Sequence, residues 1–221
     1  MIWLRQVALV AHDLDAVLAD LKRILGIEVA FNDPGVAAFG LRNAVLPVGT
    51  QFVEVVSPTK AGTAAGRQLE RMGGDGGYMV IGHTDRHDEV RSRVDSLGVR
   101  KVIDADDHGY KIMQLHPSDT GGSFLEIDFQ PGGEDPNGPW MPAGPDWQRA
   151  VRTDIVDGIT GVELRVPDPD KVEARWTEIL GQRHFDNATI TYTEGTGGLV
   201  ALDVRGDGRG THRICGVDFR F

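Results

Sequence analysis

The sequence contains a repeat with a fixed internal spacing. Each copy consists of an apolar run, an aspartate and a stretch of helical periodicity that ends in glycine. The three copies cover residues 7–26, 79–98 and 162–181. The aspartate precedes the glycine by 13 residues in all three: Asp13 and Gly26, Asp85 and Gly98, Asp168 and Gly181. Because aspartate favours the N-cap and glycine the position after a helix, the repeat predicts three strand–helix units.

The first two copies stay in register well beyond the helix. Residues separated by 72 positions match at four points: Asp13 and Asp85, Gly26 and Gly98, Phe52 and Phe124, and Glu54 and Glu126. Strand-like runs follow each helix. These runs are residues 37–41 and 50–56, then 111–115 and 123–129, and finally 188–193, 199–204 and 212–219.

We therefore predict an α+β fold of three βαβββ modules, at residues 1–66, 75–131 and 158–221. A linker rich in proline and glycine, residues 132–157, joins the last two modules. It carries Trp140 and Trp147, which we expect to dock on the body of the protein, because aromatic side chains bury large areas.

Composition narrows the functional classes. The chain of 221 residues has 23 basic and 33 acidic residues, a formal net charge of −10. This charge argues against nucleic acid and against an anionic membrane surface as partners. The single cysteine, Cys215, excludes a disulfide framework and a cysteine-based zinc site, and a cytoplasmic protein is expected. No apolar run has the length of a membrane helix, and the N-terminal residues do not predict a signal peptide.

The tandem modules resemble a known superfamily. The motif VALVAHDLDA near the N-terminus, the stretch TQFVEVVSP (50–58) and the stretch LHPSDTGGSFLEID (115–128) carry the resemblance. They are similar to the vicinal oxygen chelate superfamily, in particular to its methylmalonyl-CoA epimerase and glyoxalase I branch, while bleomycin-resistance proteins and extradiol dioxygenases belong to the same group. The resemblance implies that modules one and two pair into a half-open, barrel-like cup around a divalent metal.

The resemblance also implies the metal ligands. The first-strand position falls on Gln6, and the last-strand positions of the two modules fall on Glu54 and Glu126. The fourth position falls on Tyr78 or, with a shift of one residue, on Met79, and neither is an ordinary ligand of a hard cation. Oxygen ligands with two carboxylates favour Mg²⁺, Mn²⁺ or Co²⁺, and Zn²⁺ stays open as a further cofactor.

Two glutamates in one pocket are suited to proton transfer. In glyoxalase-like chemistry a glutamate beside the metal removes a proton next to a carbonyl group, and we expect Glu126 to be this base, with Glu54 as the alternate. The other interpretation is that both glutamates lie on the solvent face of an amphipathic strand. Phe52 and Phe124 share the faces of the two glutamates, which favours a pocket.

Two functions therefore remain open. One is a metal-dependent isomerase or lyase acting on a small oxygenated metabolite, and the other is a metal-free small-molecule binding protein of the bleomycin-resistance type. An extradiol dioxygenase is disfavoured because the two-histidine, one-carboxylate iron set is missing. Modules of this kind work in pairs, so the third module predicts a homodimer in which it pairs with its copy.

Overall fold

The computed structural model describes residues 1–221 as two β-sheets with five α-helices. The strands are β1 (Ile2–Val10), β2 (Leu41–Val48), β3 (Gln51–Pro58), β4 (Gly76–Thr84), β5 (Lys101–Asp107), β6 (Tyr110–Leu115), β7 (Phe124–Phe129), β8 (Val156–Val166), β9 (Thr189–Glu194), β10 (Gly198–Gly206), β11 (Thr211–Ile214) and β12 (Val217–Arg220). The α-helices are α1 (Leu14–Leu25), α2 (Ala64–Met72), α3 (His87–Ser96), α4 (Pro117–Thr120) and α5 (Pro169–Leu180). Short 3₁₀ helices cover Pro34–Phe39, Met141–Ala143 and Trp147–Ala150. None of the helices is both long and apolar enough to cross a membrane.

The repeated aspartates cap two of the three predicted helices. The Asp13 carboxylate accepts hydrogen bonds from the first turn of α1, and Asp168 does the same for α5. The second helix differs, because it begins after Arg86, whose side chain accepts no hydrogen bond from the first turn. The carboxylate of Asp85 instead lies 2.8 Å from the N-terminal amine of Met1. An ion pair has therefore replaced the cap in this copy.

The first two copies form one seven-stranded sheet with the order β2-β3-β1-β4-β7-β6-β5. In each copy the last strand lies parallel to the first, and the two halves join through the antiparallel pair β1–β4. The predicted strand at residues 37–41 is mostly a 3₁₀ helix, and an isolated bridge between Phe31 and Val45 stands in for the missing strand. Strand β5 and helix α2 were not predicted.

The third segment pairs its strands differently. Its five-stranded sheet has the order β11-β12-β10-β8-β9, so the first strand, β8, lies between β9 and β10. In the first two copies the last strand, not the second, lies beside the first. Here the crossover helix α5 returns the chain to β9, directly alongside and parallel to β8, which leaves the other side of β8 to β10. The predicted α+β class is confirmed, and the module boundaries stay a prediction.

The two sheets enclose a single core. Forty-one buried residues from both sheets and from α1, α3 and α5 form one cluster, in which Trp176 is fully buried. The side chain of Gln51 at the start of β3 links the sheets, because its amide binds both backbone groups of Ile159 on β8 at 2.9 and 2.7 Å. The apolar face of the third segment is thus covered within the same chain. The unpaired surface from which a homodimer was expected is absent here, and the dimer stays a prediction without that argument.

The opposite face of the seven-stranded sheet is concave. Val45 on β2 and Tyr110 on β6 belong to one buried cluster, although four strands separate β2 from β6 in the sheet. The sheet must curl to bring these strands together. We call this side, which carries Gln6, Glu54 and Glu126, the concave face.

Candidate functional site on the concave face

The predicted site residues lie together on the concave face. Gln6 on β1 donates from Nε2 to Oε2 of Glu54 on β3 over 2.9 Å. The charge of Glu126 on β7 contributes to the raised pKa of Glu54, and both carboxylates contribute to the raised pKa of Tyr78 on β4. Groups that affect one another in this way share one poorly solvated space.

Two amides hold the carboxylate of Glu54. Asn43 on β2 donates to Oε1 over 2.6 Å, which complements the bond from Gln6 to Oε2. Asn43 is itself fixed, because its Oδ1 accepts from the backbone N–H of Asp33 at 2.9 Å. Asn43 was not predicted as a site residue. A buried polar residue early in the apolar run of β2 was the available signal.

Glu54 titrates near neutral pH. Burial raises the pKa of its carboxyl group from 4.5 to about 7, and the charge of Glu126 adds to this effect, while the hydrogen bonds from Asn43 and Gln6 oppose it. The side chain is nevertheless only half-buried. The residue as a whole is partly exposed, while protein surrounds its carboxyl group.

Glu126 is more deeply enclosed. Its Oε2 accepts a hydrogen bond of 2.8 Å from Gln114 on β6, and burial raises the pKa of its carboxyl group. Asp128, two residues along the same strand face, is fully buried and accepts a 2.6 Å hydrogen bond from the hydroxyl of Tyr110. Burial and the nearby Glu126 raise the pKa of Asp128 well above its ordinary value. Gln114, Tyr110 and Asp128 were not predicted as site residues.

Tyr78 and Met79, the two candidates for the fourth metal-ligand position, lie side by side on β4. The pairing of β1 with β4 shifts register between Ala8 and Leu9, so that Met79 has a partner on β1 and Tyr78 has none. The ring of Tyr78 packs edge-on against Phe124 at 5.2 Å, and the sulfur of Met79 lies 3.3 Å from Nε2 of Gln114. Both side chains therefore line the concave face. Burial and the two glutamates raise the pKa of Tyr78 to about 12, which keeps its phenol protonated at neutral pH.

The linker covers one end of the concave face. As predicted, Trp140 and Trp147 are docked, with 1% and 2% of their surface exposed. The indole N–H of Trp140 donates to Oε1 of Gln6 over 2.7 Å, and Trp147 packs edge-on against Phe52. The guanidinium of Arg5 lies 5.3–5.7 Å from the three aromatic rings, in the range of cation–π attraction.

The side chains at the predicted ligand positions do not fit the divalent metal that the resemblance implies. The amide oxygen of Gln6 already accepts from Trp140, and both oxygens of Glu54 accept from amides. A phenol with a pKa of about 12 is a poor ligand. No group of three or more histidine, cysteine, aspartate or glutamate side chains is arranged to hold a metal ion. A metal at Gln6, Glu54, Glu126 and Tyr78 would have to displace this hydrogen-bond network.

Metal removal is therefore expected to leave the protein unchanged. Dialysis against a chelator should shift the melting temperature by less than about 1 °C, and excess Mn²⁺ or Co²⁺ should not raise it. A metal that did bind would raise the melting temperature measurably, because a ligand at 100 times its Kd stabilises the folded state by about 2.7 kcal/mol. Differential scanning calorimetry checks both. Stoichiometric metal that is lost in Glu54→Gln would contradict this expectation.

Comparisons with known proteins agree with the geometry. The family model described as "Glyoxalase-like domain" matches residues 7–180. A variant of Streptomyces coelicolor methylmalonyl-CoA epimerase in complex with 2-nitronate-propionyl-CoA is 23% identical, with a TM-score of 0.52 over 58% of this chain and 96% of its own. Methylmalonyl-CoA epimerase from Mycobacterium tuberculosis is also 23% identical, with a TM-score of 0.51 over 57% of this chain and 87% of its own.

A further solved structure matches the whole chain. A hypothetical protein from Staphylococcus aureus is 12% identical, with a TM-score of 0.70 over 100% of this chain and 99% of its own. No functionally curated protein matches. At such identities the structural matches show the fold alone, and they confirm the predicted glyoxalase-like fold. Because the family model covers well over half of its residues, this chain belongs to the glyoxalase-like domain family.

Proposed function

We propose that the concave face binds a small oxygenated metabolite and that Glu54 removes a proton from a carbon next to its carbonyl group, in isomerase-type chemistry. The observation that carries this proposal is the carboxylate of Glu54, which two amides hold in place in a partly exposed residue and whose pKa is about 7. A general base works best when its pKa lies near the ambient pH.

Glu54 suits the role of base better than Glu126, which the sequence analysis preferred. Glu126 is only 8% exposed, whereas Glu54 keeps contact with solvent. The amides of Asn43 and Gln6 fix the orientation of the Glu54 carboxylate, since each binds one of its oxygens. We assign to Glu126 the second role, that of a carboxyl group whose raised pKa lets it carry a proton beside the substrate.

Proton removal next to a carbonyl group leaves negative charge on the carbonyl oxygen. A hydrogen-bond donor at that oxygen stabilises the charge in a poorly solvated site. Tyr78 stands where the family resemblance places a metal ligand, and its phenol stays protonated at neutral pH. We assign to its hydroxyl the role of this donor. The proton taken up by Glu54 then moves to the neighbouring carbon, or Glu126 gives its proton to the first carbon from the opposite side while Glu54 keeps the one it removed. Either route forms an isomer and is balanced without a redox step.

Solvent exchange tests the proposal without knowledge of the product. In D₂O we expect the protein to replace the proton next to the carbonyl group of a metabolite by deuterium. NMR measures the rate of this exchange. Methylmalonyl-CoA and thiol adducts of methylglyoxal are the first probes. Glu54→Gln should lower the exchange rate at least about a hundredfold, because general-base catalysis contributes 10²–10⁴-fold.

Glu70→Gln is the matched control, since Glu70 is exposed on α2 and the substitution makes the same change of charge. It should leave the exchange rate unaltered. Equal rates in the wild type and in Glu54→Gln would rule out Glu54 as the base.

A metal-free binding protein is the second candidate. The observation that favours it is the closed network in which Trp140, Gln6, Glu54 and Asn43 satisfy one another. A concave face with such a network can hold a ligand without reacting with it. A probe that raises the melting temperature but shows no exchange would favour this function over catalysis.

A further inference from the structure

A cavity lies apart from the concave face, where the two sheets meet. Its volume is about 630 Å³, within the range of small-molecule sites. The first sheet contributes the end of α2, the start of β4 and helix α4. The second sheet contributes the end of β8, the turn between β9 and β10, and the turn between β11 and β12.

The charge of this cavity is opposite to that of the protein. Arg71, Arg165 and Arg213 line it, with Asp75 as the one acidic residue, in a chain whose net charge is −10. The three arginines come from α2, β8 and β11, far apart in sequence. Only the tertiary structure brings them together, so no basic run in the sequence revealed them.

The guanidinium groups are available to a ligand. Arg71 has no carboxylate partner, and its side chain donates to Gln68 on the same helix. Arg213 pairs with Asp218 at 2.9 Å. Arg165 pairs at 3.3 Å with Glu163, a buried carboxylate that Arg220 also holds. The side chains of Arg213 and Arg165 are 65% and 47% exposed. The Arg213–Asp218 pair is exposed and contributes little stability, so a ligand anion can replace its carboxylate. The exposed guanidinium of Arg165 can bind the ligand while it stays paired with Glu163.

The backbone of the second sheet adds donors. The turn between β9 and β10 contributes Thr196 and Gly197 to the lining, and no hydrogen bond within the protein uses the N–H group of either residue. A Cβ atom at Gly198 would lie 2.4 Å from the carbonyl oxygen of Gly122, so glycine lets this turn approach the first sheet. Unpaired backbone N–H groups beside arginines are the chemistry of anion sites.

We infer that this cavity at the junction of the sheets binds a small polyanion, a phosphorylated or polycarboxylate metabolite. The inference does not depend on the proposed chemistry of the concave face. An apolar ligand is not expected, because only 4 of the 18 lining residues are hydrophobic.

Calorimetric titration at low salt tests the inference, with inorganic pyrophosphate and citrate as separate probes. We expect saturable binding of one equivalent of at least one probe. The double variant Arg71→Gln/Arg213→Gln should weaken it by roughly tenfold or more, because losing about 1.4 kcal/mol of interaction lowers the affinity tenfold. Stronger binding of pyrophosphate would identify a phosphate ligand, and stronger binding of citrate a carboxylate ligand.

The control is Arg67→Gln/Arg209→Gln, which removes the same charge at two exposed arginines outside the cavity. It should bind the probe as the wild type does. Equal weakening in both double variants would mean that net charge alone attracts the anion, and this would overturn the inference. Absence of saturable binding of both probes at millimolar concentration would overturn it as well.

Discussion

Replacing Trp176 by alanine is expected to lower the free energy of unfolding by about 4 kcal/mol, the usual cost of deleting a fully buried large aromatic side chain. The indole of Trp176 on α5 packs edge-on against Tyr192 at 6.3 Å, and its N–H donates to the carbonyl of Thr120 over 2.9 Å. The substitution removes both the apolar contacts and the partner of a buried carbonyl group. A buried acceptor without a donor adds to the cost of the cavity.

The loss should affect both sheets at once. Helix α5 belongs to the third segment, whereas Thr120 ends helix α4 beside the first sheet, and the core cluster spans both. We expect one cooperative unfolding transition in urea, shifted to lower concentration and coincident by circular dichroism and by the fluorescence of the remaining tryptophans.

Lys171→Ala on the same helix is the control, because this side chain is exposed, and its effect should stay within about 0.5 kcal/mol. Two separate transitions, of which only one moves in Trp176→Ala, would contradict a shared core. They would show that residues 1–131 and 158–221 fold as independent units.

The parts of the fold that could be predicted from the sequence are those that do not depend on the shared core. The helix ends at Asp13 and Gly26 follow from local chemistry, and so does the alternation that places Glu54 beside Phe52. The 72-residue offset predicted that the first two copies would form equivalent halves, which the pairing of β1 with β4 confirms. These features depend on neighbours in sequence or on strict repetition.

Strand order in the third segment depends on contacts that the sequence does not display. Strands β9 and β10 were predicted near their observed positions, whereas β11 and β12 were predicted as one strand at residues 212–219. The pairing of these strands is decided by how α5 and the second sheet cover the first sheet. Helix α2 was missed for another reason. Its nine residues, Ala64–Met72, have only a short apolar stripe, so the sequence did not distinguish this helix from a connecting loop.

The candidate site was predicted in part for the same reason. The 72-residue offset predicted Glu54 and Glu126 as equivalent residues, and the family resemblance added Gln6. Their partners come from other strands and from the linker, so the bonds from Asn43, Gln114 and Trp140 could not be foreseen. Those bonds decide the fit of a metal, since they occupy the oxygens that a metal would need.

The burial of Glu54 should also be measurable as a cost in stability. Its pKa rises from 4.5 in the unfolded chain to about 7 in the folded protein, so the folded state favours the protonated form. Below about pH 4.5 the group is protonated in both states and costs nothing. Between about pH 4.5 and pH 7 the unfolded chain releases this proton while the folded protein keeps it, so the free energy of unfolding falls by about 3 kcal/mol in total, because one pKa unit corresponds to 1.36 kcal/mol.

Glu54→Gln carries no charge at any pH and should lack this loss. The difference in unfolding free energy between the variant and the wild type is expected to grow by about 3 kcal/mol in favour of the variant between about pH 4.5 and pH 8, measured by urea unfolding. Hydrogen bonds that glutamine makes less well affect both pH values alike, so they cancel in this difference.

Glu70→Gln should show no such growth. A flat difference for Glu54→Gln would mean that Glu54 is ionised at its ordinary pKa, and it would then lack the basicity that proton removal at neutral pH requires. A growing difference together with lost solvent exchange would identify one carboxylate that destabilises the fold and serves as the base.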